Sequence, residues 1–212
     1  MNKGEDKNYI NYLSYVHYYE MPFIDALLEY KNDVFVETGT FQGDTVEKVA
    51  NNHAHNPSRI ISLELSDVFV ERCRTRFQQN PSVEIYRANS KYDLFGIIQY
   101  IDQPITFWLD SHWSGTPNVG IDTECICPIL YELDQIGQHS IRTHTIMIDD
   151  IRLMNGDSGR FSSMFSRSAT QSSFPVTLNQ IVTKIYEINP DYKLKFYDDH
   201  TATNDVLVAY IP

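Results

Sequence analysis

Four apolar runs in this 212-residue sequence end on acids: Glu37 after DVFV, Glu64 after RIISL, Asp110 after ITFWL, and the Asp149–Asp150 pair after THTIMI. Between Glu37 and Thr45 the chain reads E-T-G-T-F-Q-G-D-T, with Gly39 and Gly43 four apart. Glycines let a backbone turn tightly and approach a ligand closely. The spacing is G-x-x-x-G rather than G-x-G-x-x-G, so a pyrophosphate cradle is not indicated. An acid ahead of the first glycine suits a ligand ammonium better than a phosphate. An ordinary strand–turn–helix corner would read the same way. Glu64 can accept both hydroxyls of a ribose, or simply sit at a helix start where the dipole favours an acid. Together with the glycine loop upstream, the ribose reading is preferred.

Asp110 and the Asp149–Asp150 pair form a second constellation. If their strands are neighbours, three carboxylates converge, and unpaired they raise each other's pKa. A hard divalent cation with oxygen ligands relieves the repulsion. Capping of the loop after the fifth strand is the alternative for Asp149 and Asp150. His112 lies two residues after Asp110 and is a candidate general base or a partner of metal or substrate. Trp113 offers a ring to stack on a sugar or to anchor a loop. Arg152 offers a donor to an acceptor hydroxyl or a salt bridge to a nearby acid. Cys125 and Cys127 are spaced too tightly for the usual zinc pair, and no second pair exists. His53, His55, His139, His144 and His200 show no ligand spacing.

These residues need a scaffold that brings strand ends together. Strands are expected at Asp33–Glu37, Arg59–Leu63, Val83–Arg87, Ile105–Leu109 and Thr143–Ile148. Helices are expected at Thr45–Ala50, Asp67–Gln79, Asn89–Ile101 and Pro128–Ile136. Such alternation implies βαβ units and a parallel sheet. A Ser-rich loop, Gly156–Ser173, and a helix at Val176–Ile188 follow. Strands at Tyr192–Tyr197 and Asp205–Ile211 are joined too briefly for anything but an antiparallel pair. The expected fold is α/β: a doubly wound, mostly parallel seven-stranded sheet ending in an antiparallel hairpin. Helix-like spacing from Tyr9 to Tyr30, broken near Pro22, marks residues 1–32 as a helical extension or cap before a domain at 33–212. Ligands of such sheets bind at the carboxyl ends of the strands.

Composition narrows the partners. The net charge of −11 disfavours a phosphate backbone. Three cysteines make no disulfide framework, and no apolar run is long enough to span a membrane. The start, MNKGEDKNYINYL, has no apolar signal core. A cytoplasmic location is expected, and a homodimer is compatible with the sequence.

The motifs E-T-G-T-F-x-G-D-T, S-L-E-L-S, R-A-N-S and W-L-D-S-H resemble the successive motifs of class I S-adenosylmethionine methyltransferases, over roughly Asp33 to Pro212. The resemblance implies a Rossmann-like methyltransferase fold. It implies a methionine-side site at Glu37, Thr38, Gly39, Thr40, Gly43, Asp44 and Thr45, ribose contacts at Glu64 and Leu65, and adenine contacts at Asn89 and Ser90, with Asp110 beside the cofactor. The first loop has fewer glycines than the commonest form of the motif. The acids Asp110, Asp149 and Asp150 resemble those of metal-dependent O-methyltransferases acting on sugars of macrolide and aminocoumarin antibiotics, where they hold magnesium against two substrate hydroxyls. They resemble catechol-type enzymes too. The stretch D-S-H-W-S-G…C-P…E-L…I-D-D-I-R looks like methyltransferases found beside glycosyltransferases, including modules of glycan-building proteins of large algal viruses. The implied activity is O-methylation of a sugar hydroxyl, on a deoxysugar or glycan end, with Mg²⁺ or Mn²⁺. Asp110 and His112 would be catalytic, and His112, Trp113 and Arg152 would touch the acceptor. A nicotinamide-dependent sugar dehydrogenase or epimerase is the rival class and needs the pyrophosphate loop that this spacing lacks.

Overall fold

The computed structural model describes residues 26–52, 54, 57–113, 125–154, 174–198 and 203–212. The helices expected from Tyr9 onward up to residue 25, and the Ser-rich stretch Gly156–Ser173, lie outside these residues. The chain alternates β1 (Val34–Thr38), α1 (Asp44–Ala50), β2 (Arg59–Glu64), α2 (Asp67–Phe77), β3 (Val83–Arg87), α3 (Ser90–Ile98), β4 (Ile105–Leu109), α4 (Ile129–Ile136) and β5 (Thr145–Ile148). A short 3-10 turn at Ile151–Met154, α5 (Leu178–Ile188), β6 (Lys193–Tyr197) and β7 (Val206–Tyr210) complete it.

The seven strands form one sheet in the order β3-β2-β1-β4-β5-β7-β6. The first five are mutually parallel where they pair, while β7 runs antiparallel to both β5 and β6. The expected closing hairpin is therefore present, with β7 wedged between β5 and β6. The doubly wound, mostly parallel sheet is confirmed. Its order reverses at β1, whose neighbours are β2 and β4, so the ends of these three strands flank one crevice.

Every residue of β1 and β4 is buried, as expected of parallel strands covered on both faces. Alternate side chains divide between two cores. Val34, Val36, Ile61, Leu63, Phe107, Leu109, Ile146 and Ile148 face the side covered by α3, α4 and α5. Phe35, Ile60, Trp108, Met147, Val206 and Val208 face α1, α2 and the helical residues 26–29. Ala26 and Leu27 are fully buried there. The Glu29 carboxylate accepts from Lys195 Nζ at 2.7 Å and from the Tyr197 hydroxyl at 2.5 Å. The segment before β1 is thus fastened across the sheet to β6.

Element ends follow local chemistry. Asn89 caps α3 by accepting from the Lys91 N–H. Thr177 and Gln180 form a reciprocal capping box at α5, so that helix starts at Leu178 rather than at Val176. The third helix stops at Ile98, before the expected Ile101, and β5 begins at Thr145. Just ahead of β5, the His144 ring Nδ1 accepts the Ile105 N–H at 3.1 Å.

Candidate active site

The loop from β1 to α1 turns through three positive φ angles, at Gly39 (88°), Phe41 (48°) and Gly43 (85°). At Gly39 a Cβ would collide with the Asp110 carbonyl and lie 2.9 Å from Ser111 Cα. The loop therefore lies directly against the end of β4. At Gly43 a Cβ would stand 2.8 Å from the Phe77 ring and 3.1 Å from Cys73 Sγ, so this glycine serves helix contact. Phe41 bears its positive φ without that freedom. Its ring rests on Phe69 at 4.6 Å, and its N–H donates to Glu64 Oε2 at 2.8 Å.

Glu37 is 1% exposed. The Ser62 hydroxyl donates to it, Thr40 and Ser62 hydroxyls pair at 2.6 Å, and Thr45 also bonds to the carboxyl. Burial pushes its pKa to about 8, and those hydroxyls offset this only in part. Glu64 is buried too, with Oε1 accepting the Ser66 N–H at 2.7 Å. Each of its oxygens still has a second acceptor position. Leu65 follows it at the rim, and Thr38 is buried at the end of β1. Asn89 and Ser90 begin α3 at the end of β3, with Ser90 Oγ 3.3 Å from Ser111 Oγ. Asp44 stands apart from this group. It is exposed and paired with Arg76 at 2.7 Å.

At the ends of β4 and β5, Asp110, His112 and Asp150 converge, with one potential ligand atom of each within 4.8 Å of the others. His112 Nε2 lies 2.7 Å from Asp150 Oδ2, and Nδ1 lies 3.5 Å from Asp110 Oδ1. The expected trio was Asp110, Asp149 and Asp150. Asp149 stays outside the ligand-sized group, although its charge is among the causes that raise Asp110. The local reason is the left-handed turn at Asp150 (φ 56°), whose N–H is taken by Asp149 Oδ1 at 2.9 Å. Burial, then Asp149 and Asp150, hold Asp110 well above the ordinary carboxylate range. Burial works the same way on Asp150, but His112 and Arg152 outweigh it and bring Asp150 to about 2.

Arg152 does not reach toward the cleft alone. Its Nη1 is 2.5 Å from Asp150 Oδ1 and also pairs with Asp205, and its backbone N–H donates to Asp205 Oδ1 at 2.8 Å. Asp205, fully buried at the start of β7, was not singled out in the sequence; only the fold brings it beside β5. The His112 ring meets Phe174 edge-on at 5.3 Å. The Trp113 backbone N–H donates to the Ile126 carbonyl at 2.8 Å, tying the β4 loop to the chain before α4. Cys127 is buried with Sγ 3.7 Å from Met154 Sδ, and burial pushes its thiol up to about 12, which fits a core thiol and not a zinc ligand.

A scan against protein-family models finds no match, and no curated protein matches. Solved structures do. An O-methyltransferase from Bacillus cereus in complex with S-adenosylhomocysteine aligns over 90% of this chain and 78% of its own, at 12% identity and TM-score 0.52. The methyltransferase domain of a bacterial Hen1 aligns over 88% and 93%, at 10% identity and TM-score 0.52. The S-adenosylmethionine-dependent methyltransferase SibL aligns over 89% and 54%, at 14% identity and TM-score 0.53. At such identities the likeness is one of architecture: this chain has the Rossmann-like fold of S-adenosylmethionine-dependent methyltransferases.

Proposed function

We propose that this chain is an O-methyltransferase that moves a methyl group from S-adenosylmethionine to a hydroxyl of a sugar, on a deoxysugar or glycan end, beside a divalent cation. The observation that carries the reading is the gathering of Glu37, Glu64, Asp110 and Asp150 at adjoining strand ends around the β1 switch point. Two of these carboxyls are held above their ordinary pKa by burial. A pocket rich in buried acceptors suits a ligand carrying an ammonium and a sulfonium. It does not suit the pyrophosphate of a nicotinamide, which needs N–H donors.

When bound, S-adenosylmethionine supplies an electrophilic methyl on sulfur. Glu37 and the loop with Thr38, Gly39, Thr40, Gly43 and Thr45 take the methionine end. Glu64 and Leu65 take the ribose, and Asn89 and Ser90 the adenine. Asp110 and His112 face the acceptor, where either can take the proton released as the new oxygen–carbon bond forms and the carbon–sulfur bond breaks. Holding the hydroxyl in line with the methyl supplies much of the rate.

The donor set Asp110, His112, Asp150 fits a cation, which there would lower the hydroxyl's pKa. One imidazole among the carboxylates moves the preference from Mg²⁺ toward Mn²⁺. The contacts of His112 and Arg152 with Asp150 favour a second reading, in which Arg152 balances the charge of Asp150 and Asp110 with His112 forms a metal-free base. EDTA decides between them: loss of labelled-methyl transfer, restored by Mn²⁺, supports the metal, and full activity in EDTA removes it. Catechol-type acceptors share the cluster, so mass spectrometry of sugars and catechols after incubation with labelled cofactor tests the acceptor class. We place the extension at residues 1–32 and the catalytic domain at 33–212, acting alone or as one module beside a glycosyltransferase. A cytoplasmic setting and a homodimer fit this reading. Among the described residues no helix is long and apolar enough to cross a membrane.

A further inference from the structure

The first turn of α4 carries a carboxylate that the proposed chemistry does not use. Glu132 is 1% exposed, on a helix whose neighbours Ile129, Leu133 and Ile136 are core. A buried carboxylate is costly unless its oxygens are bonded. The Ser111 hydroxyl donates to Glu132 Oε1 at 2.6 Å, and the Ser90 hydroxyl also bonds to this carboxyl. One turn on, Gln135 Nε2 donates to the carbonyls of Ser90 at 2.7 Å and Lys91 at 3.0 Å, while its Oε1 accepts the Phe95 N–H at 2.9 Å. One face of α4 therefore grips both the start of α3 and the end of β4.

Ser111 is the residue between Asp110 and His112. Its backbone is pressed on one side by the β1 loop, where Gly39 leaves no room for a Cβ, and its side chain is held on the other by Glu132. We infer that Glu132 is a positioning residue for the cofactor site: by holding Ser111 and Ser90 together it fixes the Asp110–His112 segment against the adenine-side turn at Asn89–Ser90. This rests on the methyltransferase reading above.

The test is S-adenosylhomocysteine titration by calorimetry, with thermal denaturation alongside, on the wild type, Glu132→Leu, Glu132→Gln and Ser111→Ala. Glu132→Leu keeps the bulk and removes the acceptors. It should fold and lose about tenfold or more in affinity, the size expected when hydrogen bonds to a charged group are lost. Glu132→Gln keeps an acceptor for Ser111 and should bind within about threefold of wild type. Ser111→Ala should weaken binding in the same direction but by less, because Glu132 still bonds to Ser90, and should add nothing when combined with Glu132→Leu, because the Ser111 contact is already lost there. A purely structural pin would lower the melting temperature and leave affinity per folded molecule untouched. Wild-type affinity in Glu132→Leu, or in Ser111→Ala should the leucine variant not fold, overturns the inference. No binding by the wild type overturns the methyltransferase reading and this inference with it.

Discussion

The two ends of the central sheet bury ionisable groups in opposite ways. At the amino end, His144 gives Nδ1 to the Ile105 N–H, and the His139 ring lies between the Ile98 and Ile141 backbones. Burial drives His144 down to about 3, so the ring stays neutral and serves as a fixed acceptor. At the carboxyl end burial drives Glu37 up to about 8 and raises Asp110, and here acids lie close to acids. The physical penalty is the same, since charge is disfavoured away from water. The amino end meets it with backbone partners already in the fold. The carboxyl end meets it only in part, through hydroxyls, His112 and Arg152, and leaves acceptors for a cationic ligand. Of the two, only the carboxyl end has the makings of a site.

The sharpest contrast is in activity. Asp110→Asn should lower methyl transfer by roughly two to four orders of magnitude, the scale of a lost general base. It should leave the melting temperature close to that of the wild type or higher, because a repelling charge is gone. His144→Gln should do the reverse, costing stability while sparing turnover per folded molecule. Labelled-methyl transfer and calorimetric melting, run on both variants, break the comparison if Asp110→Asn retains turnover.

Stability against pH separates the ends next. Glu37 has a folded-state pKa of about 8 against an ordinary 4.5. Between those values the folded chain holds a proton that the unfolded chain has released, so stability falls as pH rises through the window. His144 has about 3 against 6.5, and there the unfolded chain holds the proton, so stability falls as pH drops. Glu37→Gln should remove on the order of 3–5 kcal/mol of the loss between pH 5 and 8. Denaturant melts at several pH values check this. An unchanged slope in Glu37→Gln would mean that a cation already neutralises the carboxylate.

A smaller effect distinguishes two acids in and beside the β1–α1 loop. Glu64→Ala removes the acceptor that holds the Phe41 and Ser66 N–H groups and faces the proposed ribose. S-adenosylhomocysteine binding should weaken by about 1.5–3 kcal/mol in calorimetry. Asp44→Ala breaks only an exposed pair with Arg76 and should change binding and stability by less than about 1 kcal/mol. Equal losses in the two variants would place Asp44 at the ligand after all.

Much of this architecture was legible in the residue pattern. Apolar runs such as ITFWL, alternating with helical segments, point to strands covered on both faces of a mostly parallel sheet, and their terminal acids then fall at its carboxyl edge. The short link before β7 forces antiparallel pairing. Those are local consequences of side-chain period and chain length, so the fold class, the strand ends and the place of Glu37, Glu64 and Asp110 at those ends followed from sequence. What surrounds each carboxyl did not follow. A left-handed turn at Asp150 turns that residue, and not Asp149, toward His112. The insertion of β7 beside β5 brings Asp205 to Arg152, so the fold supplies the salt bridge that was one of the two readings of that arginine, with a partner the sequence did not name. Glu132 reads as one more helical acid in ILYELDQI until α4 is laid against Ser111 and Ser90. The last two depend on contacts between residues distant in the chain, and the turn at Asp150 on a backbone conformation that residue type does not announce; burial and pairing, the causes of every shifted pKa here, exist only once the chain is folded.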